Sequence, residues 1–273
     1  MEWWQSIILG LVQGLTEFLP VSSSGHLMIF RDVIGADGEG FLDFTVLVHL
    51  GTVLSTLVVF WKPILKLLAG LFKFKYNDET DYIAKLIISM IPVAVVGVFF
   101  KDSVEALFGD SLTVVAICLL VTAALLFFSD IASGAKGWVK ENTRRNGISF
   151  LQAFIVGLGQ AFAVAPGLSR SGTTIATGLI TGVRRDVMAQ FSFLMVLVPI
   201  LGEQMLDVVK NLSETGSFFS GEVSPLCLAL GFITAFLSGL FACKVMIALV
   251  KKARLSWFAL YCAIVAVAIF IFA

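Results

Sequence analysis

The sequence predicts an all-α polytopic membrane protein made of two inverted-topology repeats, with six transmembrane helices and two re-entrant helical hairpins meeting at mid-membrane. Three observations carry that prediction. The first is composition: 58% of the 273 residues are hydrophobic and only 14% are charged, where a soluble domain carries about 25% charged residues to build a polar skin. The second is run length, since the apolar stretches approach the roughly 20 residues a spanning helix needs and are too continuous for barrel strands. The third is a match between the two halves at an offset of 147 residues. This composition disfavours a disordered chain, a secreted disulfide scaffold and a nucleic-acid-binding protein.

Six apolar stretches, at about 42–61, 84–100, 111–129, 187–206, 225–243 and 256–273, are long enough to span a bilayer. The charges between them separate. Segments 62–85, 130–147, 184–186 and 244–254 hold 15 of the 19 Lys and Arg, while 31–43, 101–110 and 203–222 hold one each against 4, 3 and 4 acids. The positive-inside rule puts the first group in the cytoplasm and the second outside. Net charge is zero, so no global field selects an anionic partner. Cys118, Cys227, Cys243 and Cys262 lie singly in apolar segments and read as small packing residues. The first basic residue is Arg31, so no cleavable signal peptide is expected.

Stretch 148–183 begins and ends at cytoplasmic charge, and Pro166-Gly167 breaks it into pieces too short to cross. A re-entrant hairpin fits. Stretch 3–34, broken at Pro20, has the same form and is expected to enter from the other face. Each half, 1–147 and 148–273, then holds one hairpin and three spans. Three is odd, so the second repeat is inverted within one integrated membrane domain. Gly10, Gln13, Ser22, Ser24 and Gly25 match Gly157, Gln160, Ser169, Ser171 and Gly172, and the offset continues through Phe44/Phe191 and Leu47/Leu194.

With the loop charges assigned, Glu17 and Arg170 remain inside apolar sequence, each close to a hairpin tip. A charge at bilayer depth costs at least about 2.5–3.5 kcal/mol unless paired or wetted, which marks a functional site. The plainer alternative is a salt bridge that only pins the hairpins together. Gln13 and Glu17 share a helix face at i, i+4. Ser22, Ser23 and Ser24, and Ser169 and Ser171 with Thr173 and Thr174, open the two returning helices, where free N–H groups bind anions. With the bidentate fork of Arg170 they describe a phosphate cradle, although a single Ser could equally be a helix cap. His26 is an acid–base or nucleophile candidate beside the Ser run, against the alternative of a packing histidine. His49 reads as a structural hydrogen bond, and Trp3, Trp4, Trp61 and Trp257 as interfacial anchors.

These residues resemble one family. Gln13-x-x-x-Glu17 looks like its (Glu/Gln)-x-x-x-Glu motif, and Pro166-Gly-x-Ser169-Arg170-Ser171-x-x-Thr174 like its Pro-Gly-x-Ser-Arg-Ser-x-x-Thr motif. The family is the bacitracin-resistance type of undecaprenyl-diphosphate phosphatase, and the resemblance extends over nearly the whole chain. It implies a bacterial plasma-membrane enzyme that hydrolyses undecaprenyl diphosphate to the monophosphate carrier of cell-wall precursors. It also implies a site facing the periplasm, a divalent cation (Mg²⁺ or Ca²⁺) and a homodimer. On that reading Arg170 clamps phosphate, Ser169, Ser171, Thr173, Thr174 and Ser24 cradle it, Glu17 and Gln13 hold the metal, and His26 works as acid or base. The nucleophile stays open among Ser23, Ser22, His26 and a metal-bound water. The competing reading is a carrier or flippase for lipid phosphate or another anion, since inverted repeats with broken helices also describe transporters. A structural scaffold leaves Glu17 and Arg170 unexplained.

Overall fold

The computed structural model describes residues 1–273 apart from 37, 39, 101–110, 135–144, 166, 216–221, 253 and 273, with backbone alone at 203–204, 206–208, 210–215 and 251–252. The expected outer segment 101–110, most of segment 130–147, and Pro166 therefore lie outside the described residues. Those described contain eleven α-helices and no strand.

Each of the two stretches expected to form a hairpin holds a pair of short helices. One is α1 (Trp3–Thr16) with α2 (Ser23–Ile34); in chain order the other is α7 (Phe150–Phe162) with α8 (Arg170–Ile180). Their open ends close alike. The Glu2 N–H donates to Gln5 Oε1 (2.6 Å), and Gln5 Nε2 donates across to the Ile34 carbonyl (3.0 Å). The Ser149 N–H donates to Gln152 Oε1 (3.0 Å), and Gln152 Nε2 to the Thr181 carbonyl (2.8 Å). One glutamine thus completes a capping box and ties the returning helix to the first. Gln5 and Gln152 stand 147 residues apart, as do Ile34 and Thr181.

Five helices among the described residues are long and apolar enough to cross a membrane: α3 (Phe41–Val59), α5 (Asp78–Phe99), α6 (Leu112–Gly134), α9 (Arg185–Thr215) and α10 (Pro225–Lys252). Where a sixth span was expected, α11 (Ser256–Phe272) is apolar but only 17 residues long. Segment 62–85, expected as a loop, holds α4 (Trp61–Leu71) and the first turns of α5. Pro63 sits in the first turn of α4, where its missing N–H costs nothing. Helices α9 and α10 also run beyond the spans expected for them, into segments 203–222 and 244–254.

Burial corrects one reading. Asp81 and Lys85, assigned to a loop, lie in α5 and are each 3% exposed. They are tolerated because they are paired: Lys85 Nζ donates to Asp81 Oδ2 (2.5 Å) and to the Arg145 carbonyl (2.8 Å), while Tyr76 and Asn146 also donate to Asp81. Asp130, near the end of α6, accepts from Arg185 and from Ser256, tying the starts of α9 and α11 together.

Helix crossings are made close by small residues, as suits packing where lipid removes the hydrophobic drive. Helix α1 packs along α10, and α7 along α5. A Cβ added at Gly14 would come within 2.6 Å of the Ala235 carbonyl oxygen, and one at Gly157 within 2.2 Å of the Ser89 carbonyl oxygen. Phe44 of α3 and Phe191 of α9, also 147 residues apart, are fully buried in the core. Gly14→Ala is therefore expected to destabilise the protein by about 1–3 kcal/mol, the range for overpacking. The check is the thermal midpoint in detergent, with Gly97→Ala, which meets nothing within 4 Å, as the unchanged control.

Candidate active site

The first hairpin turns between residues 17 and 22, and Pro20, which has no N–H for a helix, sits within the turn. Ser22 caps α2 with φ 70°, a left-handed conformation costly for a residue with a Cβ, and its Oγ accepts from the Gly25 N–H (3.3 Å). In the second hairpin Ser169 caps α8 and accepts from the Gly172 N–H (3.1 Å). In the second turn the positive φ falls not on Ser169, the match of Ser22, but on a glycine two residues earlier. Gly167 has φ 87°, and a Cβ there would lie 2.9 Å from Val115 Cα.

The two turns interlock. The Gly167 N–H donates to Ser24 Oγ (3.3 Å), and Ser171 Oγ donates to the Leu19 carbonyl (3.1 Å). A Cβ on Gly172 would stand 3.2 Å from Pro20 Cβ, and one on Gly25 3.5 Å from Gly167 Cα. Each returning helix thus presses its first turn against the other hairpin's tip. The Ser169 N–H is further held by Thr122 Oγ1 of α6 (3.2 Å).

Beside this junction lies a cavity of about 30 Å³. Its lining mixes polar residues (Glu17, Thr52, Thr56, Arg170, Ser171 and Ser192) with apolar ones (Phe18, Val53, Phe193, Val196, Leu197 and Ile200). Glu17 and Arg170, far apart in sequence, therefore face one space. Glu17 Oε2 accepts from Ser23 Oγ (2.5 Å) and Gln13 Nε2 (2.9 Å), and His49 Nε2 lies 3.7 Å from the same oxygen. None of the described hydrogen bonds falls on Oε1. Gln13 Oε1 is buried and has no hydrogen-bond partner among the described residues.

The remaining expected site residues divide. Thr174 Oγ1 donates to the Arg170 carbonyl (2.9 Å) and pairs with Ser192 Oγ (2.7 Å). Ser169 is 1% exposed and Thr173 3%; the Thr173 hydroxyl is buried without a partner. Ser22 serves as a cap. His26 is not among the residues lining the cavity. Its Nδ1–H donates to the Ser22 carbonyl (2.8 Å), and in the neutral ring Nε2 accepts from the Tyr261 hydroxyl (2.8 Å), tying α2 to α11.

Sequence reasoning missed Thr52, Thr56, Ser192 and Tyr261, and gave His49 a structural bond alone. That bond exists, from Nδ1 to the Thr45 carbonyl (2.8 Å), but the ring's other edge faces Glu17. A signal was available. Thr45, His49, Thr52 and Thr56 recur every three to four residues along an otherwise apolar span, which sets one polar stripe on α3.

Residues 6–268 match the family model for bacitracin resistance protein BacA. The chain belongs to that family. A Bacteroides fragilis protein named undecaprenyl-diphosphatase is 56% identical to it over 267 residues, covering 98% of this chain and 97% of the relative. Proteins of the same name from Christiangramia forsetii and Methanobrevibacter smithii are 46% identical over 275 residues and 37% identical over 283, each match covering at least 97% of both chains. Five apolar helices and membership of the family describe a multi-pass membrane protein.

Ser24→Ala and Ser171→Ala each remove one bond of the interlocked turns. Each is expected to cost about 1 kcal/mol. Because both bonds serve one contact, the double variant should depart from the sum by at least about 0.5 kcal/mol, as read from unfolding in detergent.

Proposed function

We propose that this chain hydrolyses undecaprenyl diphosphate to undecaprenyl phosphate and inorganic phosphate, recycling the lipid carrier of cell-wall synthesis and thereby conferring bacitracin resistance. The observation that carries the proposal is the shared cavity. Arg170 and Glu17 line it from different hairpins, and apolar side chains such as Phe18, Phe193 and Val196 line it with them. A diphosphate head on an isoprenoid chain needs those two chemistries side by side. The activity named for relatives 37–56% identical over nearly the whole chain supports the same reading.

Arg170 clamps the terminal phosphate and offsets the charge that builds on its oxygens in the transition state. Ser171 lines the same wall, and Ser169, Thr173, Thr174 and Ser24 hold the two first turns that cradle the anion. Ser23, like His26, is not among the residues lining the cavity, but it is the candidate hydroxyl bonded to a carboxylate that lines it and can take its proton. Ser23 Oγ bonds to the terminal phosphorus as its proton passes to Glu17. The bond from phosphorus to the bridging oxygen breaks, and the lipid monophosphate leaves with that oxygen and the proton. Water then attacks the phosphoserine, gives its proton through Glu17 to Ser23 Oγ, and frees inorganic phosphate. Ser22 and His26 have their polar atoms engaged in the turn and on Tyr261, which favours a shaping role for both.

Mg²⁺ or Ca²⁺ fits the donors available: a carboxylate oxygen free of the described hydrogen bonds and the partnerless amide oxygen of Gln13. Two hard oxygens suit a cation whose remaining ligands are phosphate oxygens and water. When bound, the cation supplies charge neutralisation at the diphosphate.

The finer architecture belongs to the same proposal. The two halves are read as inverted repeats with re-entrant hairpins, in the bacterial plasma membrane, with the site open to the periplasmic side and a homodimeric assembly. Support comes from the 147-residue spacing, which relates the starts of α1 and α7, of α2 and α8, and of α5 and α10. The same symmetry is what a carrier would use, so lipid-phosphate transport is the second reading.

Purified protein in detergent should release phosphate from undecaprenyl diphosphate with Mg²⁺ or Ca²⁺ and not with chelator. Arg170→Ala and Glu17→Ala should each lower the rate by at least about 10²–10³-fold, the scale for losing a charge-stabilising group. Ser23→Ala should match them, and a phosphorylated protein should be trapped in the intact chain alone. Folded, lipid-binding protein that releases no phosphate would reject hydrolysis and make the carrier reading the leading one.

A further inference from the structure

We propose that α4 (Trp61–Leu71) is a surface helix lying in the plane of the membrane, and that its lysines bind anionic phospholipid headgroups. The helix lies outside the lining of the Glu17–Arg170 cavity, so the proposal stands apart from the hydrolysis reading. Three observations carry it. The first is place. Helix α4 follows the span α3 after a single residue, Phe60, and at 11 residues it is too short to cross. Its far end docks on the first turn of the span α5, where a Cβ added at Gly70 would collide with Glu79. Both ends are thus tied to spans, which keeps the helix at the bilayer boundary.

The second observation is the division of the helix surface into three arcs, at about 100° per residue. Trp61, Leu65 and Leu68, with Phe72 at the helix end, form one apolar stripe at i, i+4, i+7 and i+11. All four are exposed, Trp61 by 60% and Phe72 by 70%. Lys62 and Lys66 stand about a third of a turn round from that stripe. The remaining arc holds Ile64 and Leu67, which pack against the core, and the buried Gly70. Protein on one arc, apolar side chains on the second and lysines on the third suit a lipid–water boundary, with the stripe among acyl chains and the lysines among headgroups.

The third observation is charge. Residues 61–76 carry four lysines, Lys62, Lys66, Lys73 and Lys75, and no acid. All four are exposed. Lys66 Nζ lies 3.8 Å from Glu79, and no described ion pair falls on the other three. The acids that follow are engaged elsewhere, Asp78 with Arg145 and Asp81 with Lys85. A run of lysines beside a span, with no acid among them, attracts negatively charged headgroups; a neutral bilayer offers them no counter-charge.

The test uses the whole chain with Trp61 as its single tryptophan, Trp3, Trp4, Trp138 and Trp257 each being replaced by Phe. It is placed in bilayers of equal parts phosphatidylcholine and phosphatidylglycerol, with one lipid at a time brominated on its acyl chains. Both should quench Trp61, with association favouring phosphatidylglycerol by at least about fivefold, the effect of one lysine near an anionic surface. Replacing Lys62, Lys73 and Lys75 by Gln, which keeps Lys66 beside Glu79, should bring that ratio within about twofold of unity. A ratio near unity with the lysines intact, or one that their removal leaves unchanged, overturns anionic lipid as the partner. A second measurement does not need the tryptophan replacements. In a chain whose native cysteines are replaced, Leu68→Cys should react with a water-soluble maleimide at least about tenfold more slowly than Lys62→Cys, because the interface excludes the reagent from the apolar face. Equal rates would leave the stripe in water and overturn the surface helix. A Leu68→Cys disulfide joining two copies, with Trp61 quenched by neither lipid, would make a second copy the occupant and overturn it equally.

Discussion

Everything at the centre of this molecule depends on two broken helices docking on each other's turns. Buried turn backbone in an apolar medium leaves N–H and C=O groups that cost several kcal/mol each unless another part of the protein satisfies them. Here each hairpin satisfies the other: Ser24 receives the Gly167 N–H, and Ser171 donates to the Leu19 carbonyl. The same contact that makes the turns tolerable delivers Glu17 and Arg170 to one cavity. The interlock of the turns and the shared cavity are one interaction, and Ser22, Ser24, Ser169 and Ser171 serve it by bonding main chain.

Around that junction the chain solves a packing problem with few polar groups to spare. Its helices approach through glycine and alanine, and its buried charges are paired. Lys85 with Asp81 sits in α5, far along the chain from Glu17 with its ring of Gln13, Ser23 and His49. The first cluster is saturated, with Tyr76, Asn146 and the Arg145 carbonyl completing its bonds. The second is not: Gln13 keeps a partnerless oxygen and Glu17 borders open space. A saturated ion pair stabilises a fold. The Glu17 cluster, at the edge of a cavity, keeps bonding capacity that the Asp81–Lys85 pair does not.

Much of this was legible from residue types. Glu17 and Arg170 stand out because charge in apolar sequence is expensive, and the hairpins stand out because Pro20 and Gly167 interrupt stretches too short to cross twice. What the sequence hid was polar groups that look ordinary. Gln5 and Gln152 clamp the hairpin ends, yet a glutamine near a helix start reads as a cap and nothing more. Thr52 and Thr56 are common in membrane helices because they bond their own main chain, so their presence on the cavity wall needed the helix's rotation to be known. His26 was read beside Glu17 from its place near the Ser run. The turn's geometry sends its ring to Tyr261, a partner 235 residues away that no local pattern indicates. Asp81 and Lys85 were misread because their charges suggested a loop, whereas mutual pairing lets α5 start earlier.

The most direct test of the interlocked turns is a cross-link between their tips. Pro20→Cys with Gly172→Cys, in a chain whose four native cysteines are replaced, places two Cβ atoms about 3.2 Å apart on opposite hairpins, a few tenths of an ångström inside the usual disulfide range. Mild oxidation in native membranes should convert nearly all of the protein to an intramolecular disulfide that shifts its mobility and reverses on reduction. If the two cysteines stay free, while a control pair within one hairpin cross-links, the turns do not meet and Glu17 and Arg170 do not share a site.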